Sequence, residues 1–549
     1  MKHLFILSIV CLTTGLCFAG ATLYVDDNAP NDPGPGNPLI SDPAEDGSTA
    51  HPYDSIQQAI DSSDPNFVSD VIILPGTYTG TGNRDIDFKG KPITVRGTNP
   101  DDPNTVAATI IDCQGTAAQP HRGFYFHTGE TATSVLKGLT IINGYGSREA
   151  VMIWNLSVGG GIYCTNSSPK VDGVVVRHSS AESGGGVAGH NSNARFILCR
   201  FAGNTASKFG GGAVFYGGQP FLDKCVVAEN NAVQYNGGGI GFEQSDPRMI
   251  SCLVFGNRSP KGGGIIISGG NPEVVDCQIV SNVATGKGGG GISLFLCDSP
   301  ADFRNCVFSG NHSKSNGGAI YVEASMASLS NCTIAGNRAG ADGGGIYGEV
   351  DYPFGASVQL KDCIVWGNKG ARGDQIACGT SDEIAYGGLQ AWYSDIEGGI
   401  AAVFKGDGGI RFYEGTLDVD PLFADPGRWN DNGTPDDASD DKWIDGDYHL
   451  KSYAGRWDPT QEKWVMDNAH SPCIDAGDPA SDFSAEPAYN GGRINMGAYG
   501  GSEYASKTPN CPARPVGDLD NDCKVTFADL AIFAADWLTC NLDPPVACE

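Results

Sequence analysis

Gly237-Gly238-Gly239-Ile240, then Cys252 with Asn257, then Gly262-Gly263-Gly264-Ile265: this stretch decides how the 549-residue chain folds. Both of its phrases recur. The glycine phrase also stands as Gly159-Gly160-Gly161-Ile162, Gly184-Gly185-Gly186-Val187, Gly211-Gly212-Ala213-Val214, Gly289-Gly290-Gly291-Ile292, Gly317-Gly318-Ala319-Ile320 and Gly343-Gly344-Gly345-Ile346. Its closing residue returns every 25 to 28 residues. A Cys-x4-Asn phrase interleaves with it: Cys199/Asn204, Cys225/Asn230, Cys277/Asn282, Cys306/Asn311, Cys332/Asn337 and Cys363/Asn368. The register reaches back to Gly138/Asn143. A fixed period of this length is the mark of a solenoid.

Around each Cys the pattern is in-out-in, as in Cys225-Val226-Val227 and Cys306-Val307-Phe308, and it repeats after each glycine run in Ile320-Tyr321-Val322. Such alternation is a strand with one buried face. Strands at one spacing with no helix between them stack as coils of a parallel β-helix, each about 4.8 Å above the last. Glycine runs suit corners that need φ > 0 or close backbone approach. The recurring Asn belongs at another corner, where its amide bonds the backbone and the next Asn as an internal ladder. The Cys column admits metal ligation, disulfides or buried thiols. Ligand pairs stand a few residues apart, not a whole coil, and an odd column cannot all pair, so reduced thiols acting as small hydrophobes fit best.

Outward from the repeat, Met1 to about Ala21 has a basic start, an apolar core Leu4–Phe18 and small residues Ala19-Gly20-Ala21. That is the pattern of a secretory signal peptide. Neither Cys11 nor Cys17 follows the small residue that lipidation needs, and no other apolar run is long enough to span a bilayer. The expectation is an exported protein, extracellular or at a cell surface. The formal charge of −29, from 64 acidic and 35 basic residues, disfavours nucleic acid and anionic membranes as partners, and a polyanionic sugar too unless metal bridges it. Residues 22–66 carry one short helical pattern, Ile56, Ala59 and Ile60, started by Asp54 or Ser55. It would plug the lower end of the solenoid, where core and strand edges are otherwise bare. Val71-Ile72-Ile73-Leu74-Pro75-Gly76-Thr77-Tyr78 opens the first coil of a solenoid spanning 67–370.

A helix followed by Ile-x-Leu-Pro-Gly-Thr-Tyr resembles the N-terminal cap of pectin-lyase-like right-handed β-helix proteins. The Gly-Gly-x-Ile and Phe-x-x-Asn phrases (Phe201–Asn204, Phe308–Asn311) are similar to polymorphic outer-membrane-protein repeats of bacterial surface adhesins. These resemblances cover roughly residues 50–370 and imply an all-β, right-handed parallel β-helix. They leave activity open, because the fold hosts lyases, hydrolases, epimerases and inert adhesins.

Residues 371–505 break the period and read as the last coils and an acidic cap. The run Asp431-Asn432-Gly433-Thr434-Pro435-Asp436-Asp437, with Asp440 and Asp441, is either a solvated loop or a Ca²⁺ site. Outward positions Val226, Leu253, Val307 and Ile364 are too apolar to face water, and this region is the nearest candidate to cover them. Within 506–549, Asp518, Asp520, Asp522 and Asp529 with the carbonyl of Lys524 occupy the ligand positions of an EF-hand-type calcium loop. Thr526 would act through water. A helix with Phe527, Leu530, Ala531, Ala534, Trp537 and Leu538 on one face follows. Asp at the twelfth position and a helix only after the loop resemble a dockerin repeat, which implies Ca²⁺ and a cohesin-like partner. Two departures stand against it: Cys523 where the turn favours Gly, and one repeat where dockerins use two. Cys511, Cys523, Cys540 and Cys548 in so short a module imply two disulfides in place of the second repeat. Their pairing is not legible.

For catalysis, the column three residues beyond each closing apolar residue reads Thr165, His190, Gly217, Glu243, Ser268, Phe295, Glu323, Glu349. Glu323 and Glu349 fall on adjacent coils, about 5 Å apart, as in retaining glycosidase pairs. Any two stacked residues share that spacing, so a solvated or cation-bridging ladder is the blander reading. Arg195, Arg200 and Arg248 align with none of these glutamates, polygalacturonase phrases are absent, and His190 stands alone. Two functions remain. The first is a non-catalytic protein that binds an extracellular polysaccharide or cell-surface glycan along its solenoid, tethered by the tail. The second is a polysaccharide lyase or glycoside hydrolase. Repeat regularity favours the first; the tail favours the second. Burial of Glu323 and Glu349 in a groove, with a basic residue in hydrogen-bond reach, would tip the balance to the enzyme.

Overall fold

The computed structural model describes residues 22–510 and 515–535, apart from 27, 30–32, 35–36, 38–39, 41, 65–69, 350–354, 380–387, 407–408, 435–440 and 520–522. The signal-peptide segment, Asp436, Asp437, Asp440, Asp520, Asp522, Trp537, Leu538, Cys511, Cys540 and Cys548 lie outside the described residues. The protein is a right-handed parallel β-helix of about 12 turns. One coil runs Arg195–Ile197, Arg200–Ala202, Thr205–Phe209 and Ala213–Tyr216 before the next begins at Phe221. We number the sheets these strands enter first to fourth; they hold 14, 12, 7 and 12 strands, paired in sequence order.

The repeat explains each corner. Gly184 sits at φ +64, where a side chain is strained, and a Cβ on Gly185 would lie 2.5 Å from the carbonyl oxygens of Thr205 and Gly211 on the next coil. At the corner between the second and third sheets Asn204, Asn230, Asn257, Asn282, Asn311, Asn337 and Asn368 are buried and form the expected ladder. Each Nδ2 donates to the next Oδ1, for example Asn257 to Asn282 at 2.9 Å and Asn337 to Asn368 at 2.8 Å. Each also donates to a backbone carbonyl and accepts a backbone N–H, which satisfies a corner that water cannot reach. Gln375 ends the run, accepting from Asn368 at 2.7 Å. The seven-membered Cys column is buried and free of disulfides. Burial holds the thiols of Cys225, Cys277, Cys306 and Cys332 well above the ordinary thiol range, so they pack as small apolar groups.

The helix Ile56–Ser62 plugs the lower end. Ser55 is its N-cap, accepting from the Gln58 N–H at 3.3 Å, and Ile56, Ala59 and Ile60 are buried in the solenoid core. Segment 22–66 also supplies a strand, Thr22–Val25, paired with Asp70–Ile73.

At the other end, residues 420–505 fold back over the second sheet. Phe423, Tyr448, Leu450, Cys473, Ile474, Met496 and Ala498 form a second core with Val307, Ala335 and Ile364. Polar contacts fix the seam: Ala498 N–H to Thr333 Oγ1 at 3.0 Å, Asn331 Nδ2 to the Asn495 carbonyl at 2.9 Å, and Ser481 Oγ to Asp362 Oδ2 at 2.6 Å. Val307 and Ile364 are therefore covered as expected. Val226 and Leu253, lower on the same column, lie beyond the cap and stay half-exposed.

Candidate functional site

The outward column of the fourth sheet is set by register. Val187 pairs with Ala213 and His190 with Tyr216, so this coil contributes Tyr216, where the sequence alignment placed Gly217. The glycine phrase of that coil starts at Gly210, one residue earlier than read, because four glycine-or-alanine positions leave the alignment free to slip. The column then runs Tyr216, Glu243, Ser268, Phe295, Glu323, Glu349.

Glu323 and Glu349 are direct neighbours. Glu349 is buried and Glu323 half-buried. Lys261 Nζ lies 2.8 Å from Glu323 Oε2, and Lys287 Nζ lies 2.9 Å from Glu349 Oε2. Tyr321 donates its hydroxyl to the same Glu349 oxygen at 2.5 Å. Burial and that carboxylate keep the Tyr321 phenol protonated, far above its usual range. Lys261 also stands 5.0 Å from the Phe295 ring centroid and 5.7 Å from that of Tyr321, which stacks on Tyr347. Each lysine projects from the corner just ahead of a glycine run and reaches a glutamate two coils further on.

Sequence reasoning missed both lysines, because it searched the glutamates' own column. A signal existed. Lys261 precedes Glu323 by 62 residues, and Lys287 precedes Glu349 by the same interval. The other basic residues stay apart, as expected: Arg195 lies over Phe221 at 4.5 Å and Arg248 pairs with Glu273 at 2.8 Å. His190 has its basicity lowered by burial. Glu243, three coils below Glu323, is pushed up to about 7 by burial.

In the tail, Asp518 and Asp529 are 3% and 2% exposed, unusual for carboxylates on so small a module. Asp529 accepts the N–H groups of Leu519 at 2.5 Å and Thr526 at 2.6 Å, and Asp518 accepts that of Cys523 at 3.1 Å. These bonds draw the first and twelfth loop positions into one turn. Cys523 takes φ +67, the conformation that favours glycine there, and is disulfide-bonded. The helix Phe527–Ala535 follows, with Phe527 88% exposed. In the acidic run of the cap, Asp441 is ion-paired with Arg338, and Asp431 accepts the Gly433 N–H at 3.0 Å. Among the described residues no group of three or more His, Cys, Asp or Glu is placed to hold a metal.

Comparison with known proteins bears on the fold. The profile described as "Right handed beta helix region" matches residues 153–312. The Chlamydia polymorphic membrane protein repeat matches 305–323 and 331–349, and a "Disaggregatase related" profile matches 427–477 in the cap. Among solved structures, pectate lyase Pel9A is 14% identical, with 87% of this chain and 96% of that one covered and a TM-score of 0.31. A rhamnogalacturonan lyase is 12% identical over 74% and 91%, with a TM-score of 0.31. PfbA, a surface adhesin of Streptococcus pneumoniae, is 12% identical over 71% and 94%, with a TM-score of 0.25. Superpositions this loose carry no argument about activity. No curated protein matches the chain. Over residues 153–312 the chain is thus similar to right-handed β-helix regions in sequence, in keeping with its structure.

Proposed function

We propose that this chain is an extracellular or cell-surface β-helix scaffold that binds glycans along its solenoid and is tethered through a calcium-binding, dockerin-like tail. One observation carries the non-catalytic reading: each of the two stacked carboxylates is closed into an ion pair, Glu323 with Lys261 and Glu349 with Lys287. A retaining pair needs one carboxyl protonated and the other free to attack. An ammonium at 2.8–2.9 Å occupies each carboxylate, and each lysine is engaged in turn by its glutamate. Basic residues do stand in reach of both glutamates, yet they neutralise them, and each pair ties a coil to the second coil above it. A panel of plant and algal polysaccharides with calcium present tests this, with unsaturated uronides and reducing ends both followed. Retention of a polymer without product is expected. Product that Glu323→Gln or Glu349→Gln abolishes would make the protein a lyase or hydrolase and locate its groove.

That second reading has the lysines themselves in its favour, since a carboxylate beside an ammonium in a half-buried column is also how a reacting sugar would be met.

In this reading the tail supplies a calcium site. Asp518 and Asp529 are buried carboxylates that accept backbone N–H groups at the two ends of the loop, which places two oxygen donors where a calcium loop needs them. With Asp520, Asp522 and the carbonyl of Lys524 they would hold Ca²⁺, which would lock the loop onto the helix. The exposed Phe527 and Leu530 on that helix favour a docking partner of the cohesin type. Calorimetry on the full chain should show calcium heat that is lost in Asp518→Ala with Asp522→Ala; heat unchanged in that variant would remove the tail from the reading.

A further inference from the structure

The third sheet carries a second outward column. Register stacks Arg258, Val283, His312 and Arg338 on successive coils, and Arg338 bridges on to Lys369. Arg258, Arg338 and Lys369 are the cations of this column, with Val283 and His312 between the two arginines, in a chain whose net charge is −29. Two residues past His312 on the same coil, Lys314 is exposed. The field is felt locally: burial and the charges of Arg338, Lys314 and Arg258 lower the basicity of His312.

The cap forms the facing wall. Its hairpin, strands Arg428–Asn430 and Lys442–Ile444, sets Trp429 and Trp443 over the column with ring centroids 5.4 Å apart. Trp443 lies flat on Gly310 and Gly336, where a Cβ on either would collide with its ring. Trp429 donates its Nε1–H to the Gly336 carbonyl at 2.7 Å and takes the Arg338 guanidinium at 4.3 Å. The rings are thus fixed before any ligand arrives, which lowers the entropic cost of binding. Between the walls lies a cleft of about 610 Å³, with Lys442 contributing a further exposed cation. Asp441 is its one carboxylate among the described lining residues, and Arg338 is paired with it. Arg258, Lys314 and Lys442 remain to meet an anion.

We propose that this cleft binds a strand of acidic polysaccharide, its carboxylate or sulfate groups on Arg258, Lys314 and Lys442 and its sugar rings against Trp429 and Trp443. This rests on the glycan-binding reading above and names the polymer class and the place. Cations on both walls of one cleft, Arg258 and Lys314 on the solenoid and Lys442 on the hairpin, suit a polyanion. Two half-buried indoles supply the flat apolar surface on which the C–H face of a sugar packs. Single-stranded nucleic acid shares the charge and can stack on indole; the net charge of −29 opposes both polyanions, so the competitor in the test separates them.

The test is affinity electrophoresis of the full chain through gels containing polygalacturonate, a sulfated galactan or neutral xyloglucan, with a single-stranded DNA oligonucleotide as competitor. We expect retardation by an acidic polymer, salt-sensitive and weakened at least tenfold in Arg258→Glu/Lys314→Glu. It should be restored in Arg258→Lys/Lys314→Arg. Both residues are exposed, so the unfolding temperature should not move; if it does, Lys442→Glu on the opposite wall gives the same reading. Response to polygalacturonate alone, or to the galactan alone, identifies carboxylate or sulfate as the recognised group. Acidic-polymer binding unchanged in the charge-reversed variants overturns the proposal, as does competition by the oligonucleotide at equal concentration. Retention of xyloglucan only would sink this site and leave the glycan-binding reading standing. No retention by any polymer would end both.

Discussion

The middle coils and the C-terminal cap are both well-packed β structure, and they are held together in opposite ways. From Cys199 to Asn368 each coil makes the same contacts to its neighbours: an Asn to the next Asn, a Cys beneath the next Cys, a glycine corner against the next glycine corner. From 420 to 505 nothing repeats. There Asp395 sits fully buried between the Val419 N–H at 3.1 Å and the Cys473 thiol at 3.3 Å, and Asp362 holds the Asp478 N–H and the Ser481 hydroxyl, both at 2.6 Å. A repeat spreads its stability over many equal interfaces. A cap concentrates it in a few unlike ones, each of which must be satisfied by a specific partner.

The comparison can be broken most forcefully at the ladder. Asn282→Ala removes the acceptor for the Asn257 N–H and Nδ2 and the donor to the Val254 carbonyl and Asn311 Oδ1. With those groups buried and unpartnered, a loss of roughly 4 kcal/mol is expected. Because the coupling between coils is cut mid-array, denaturant unfolding should split into two transitions. A single transition with an unchanged midpoint would mean that the ladder fills space without binding the coils.

The seam gives the next effect. Ile364→Ala should cost about 3 kcal/mol, since the residue is fully buried between the second sheet and the cap. Leu253→Ala, on the same column but beyond the cap, should cost about 1 kcal/mol or less. Hydrogen exchange would show which region opens: the first change should loosen 420–505, the second should not. Equal costs would mean that the cap covers the column without bonding to it.

An effect no larger than that of Ile364→Ala concerns pH. Burial raises Asp395 to about 6 from an ordinary 3.8. The folded state then binds the proton more tightly than the unfolded one, so the contribution is favourable below about pH 4 and is lost as pH rises to about 6. The span is roughly 2–3 kcal/mol. Asp395→Asn keeps an acceptor for the Val419 N–H and should flatten this part of the profile, as read from urea midpoints at pH 4 and 7. Parallel profiles for the two proteins would discard the assignment.

Legibility followed periodicity. The Asn at each corner, the buried thiols, the plug at Ile56–Ile60 and the covered apolar residues Val307 and Ile364 could all be read from one chain, because each was announced by a pattern. The candidate sites were legible only in part. Glu323 and Glu349 stood out as stacked, but the lysines that define their chemistry belong to corners two coils below. Tyr216 was lost to a one-residue slip in a run of small residues. The Trp429/Trp443 cleft left no trace, since its two walls are about a hundred residues apart and only one of them repeats.

The amino-acid sequence by itself determined the coil, its corners and the register of every glycine phrase but the one at Gly210–Ala213, because a repeat writes its nearest-neighbour contacts into every period. Only the tertiary structure decided which side chains meet across coils, where the cap lands and which charges end up paired. Those outcomes depend on the stacking height of the solenoid and on a single aperiodic fold-back, and neither is encoded in any local pattern.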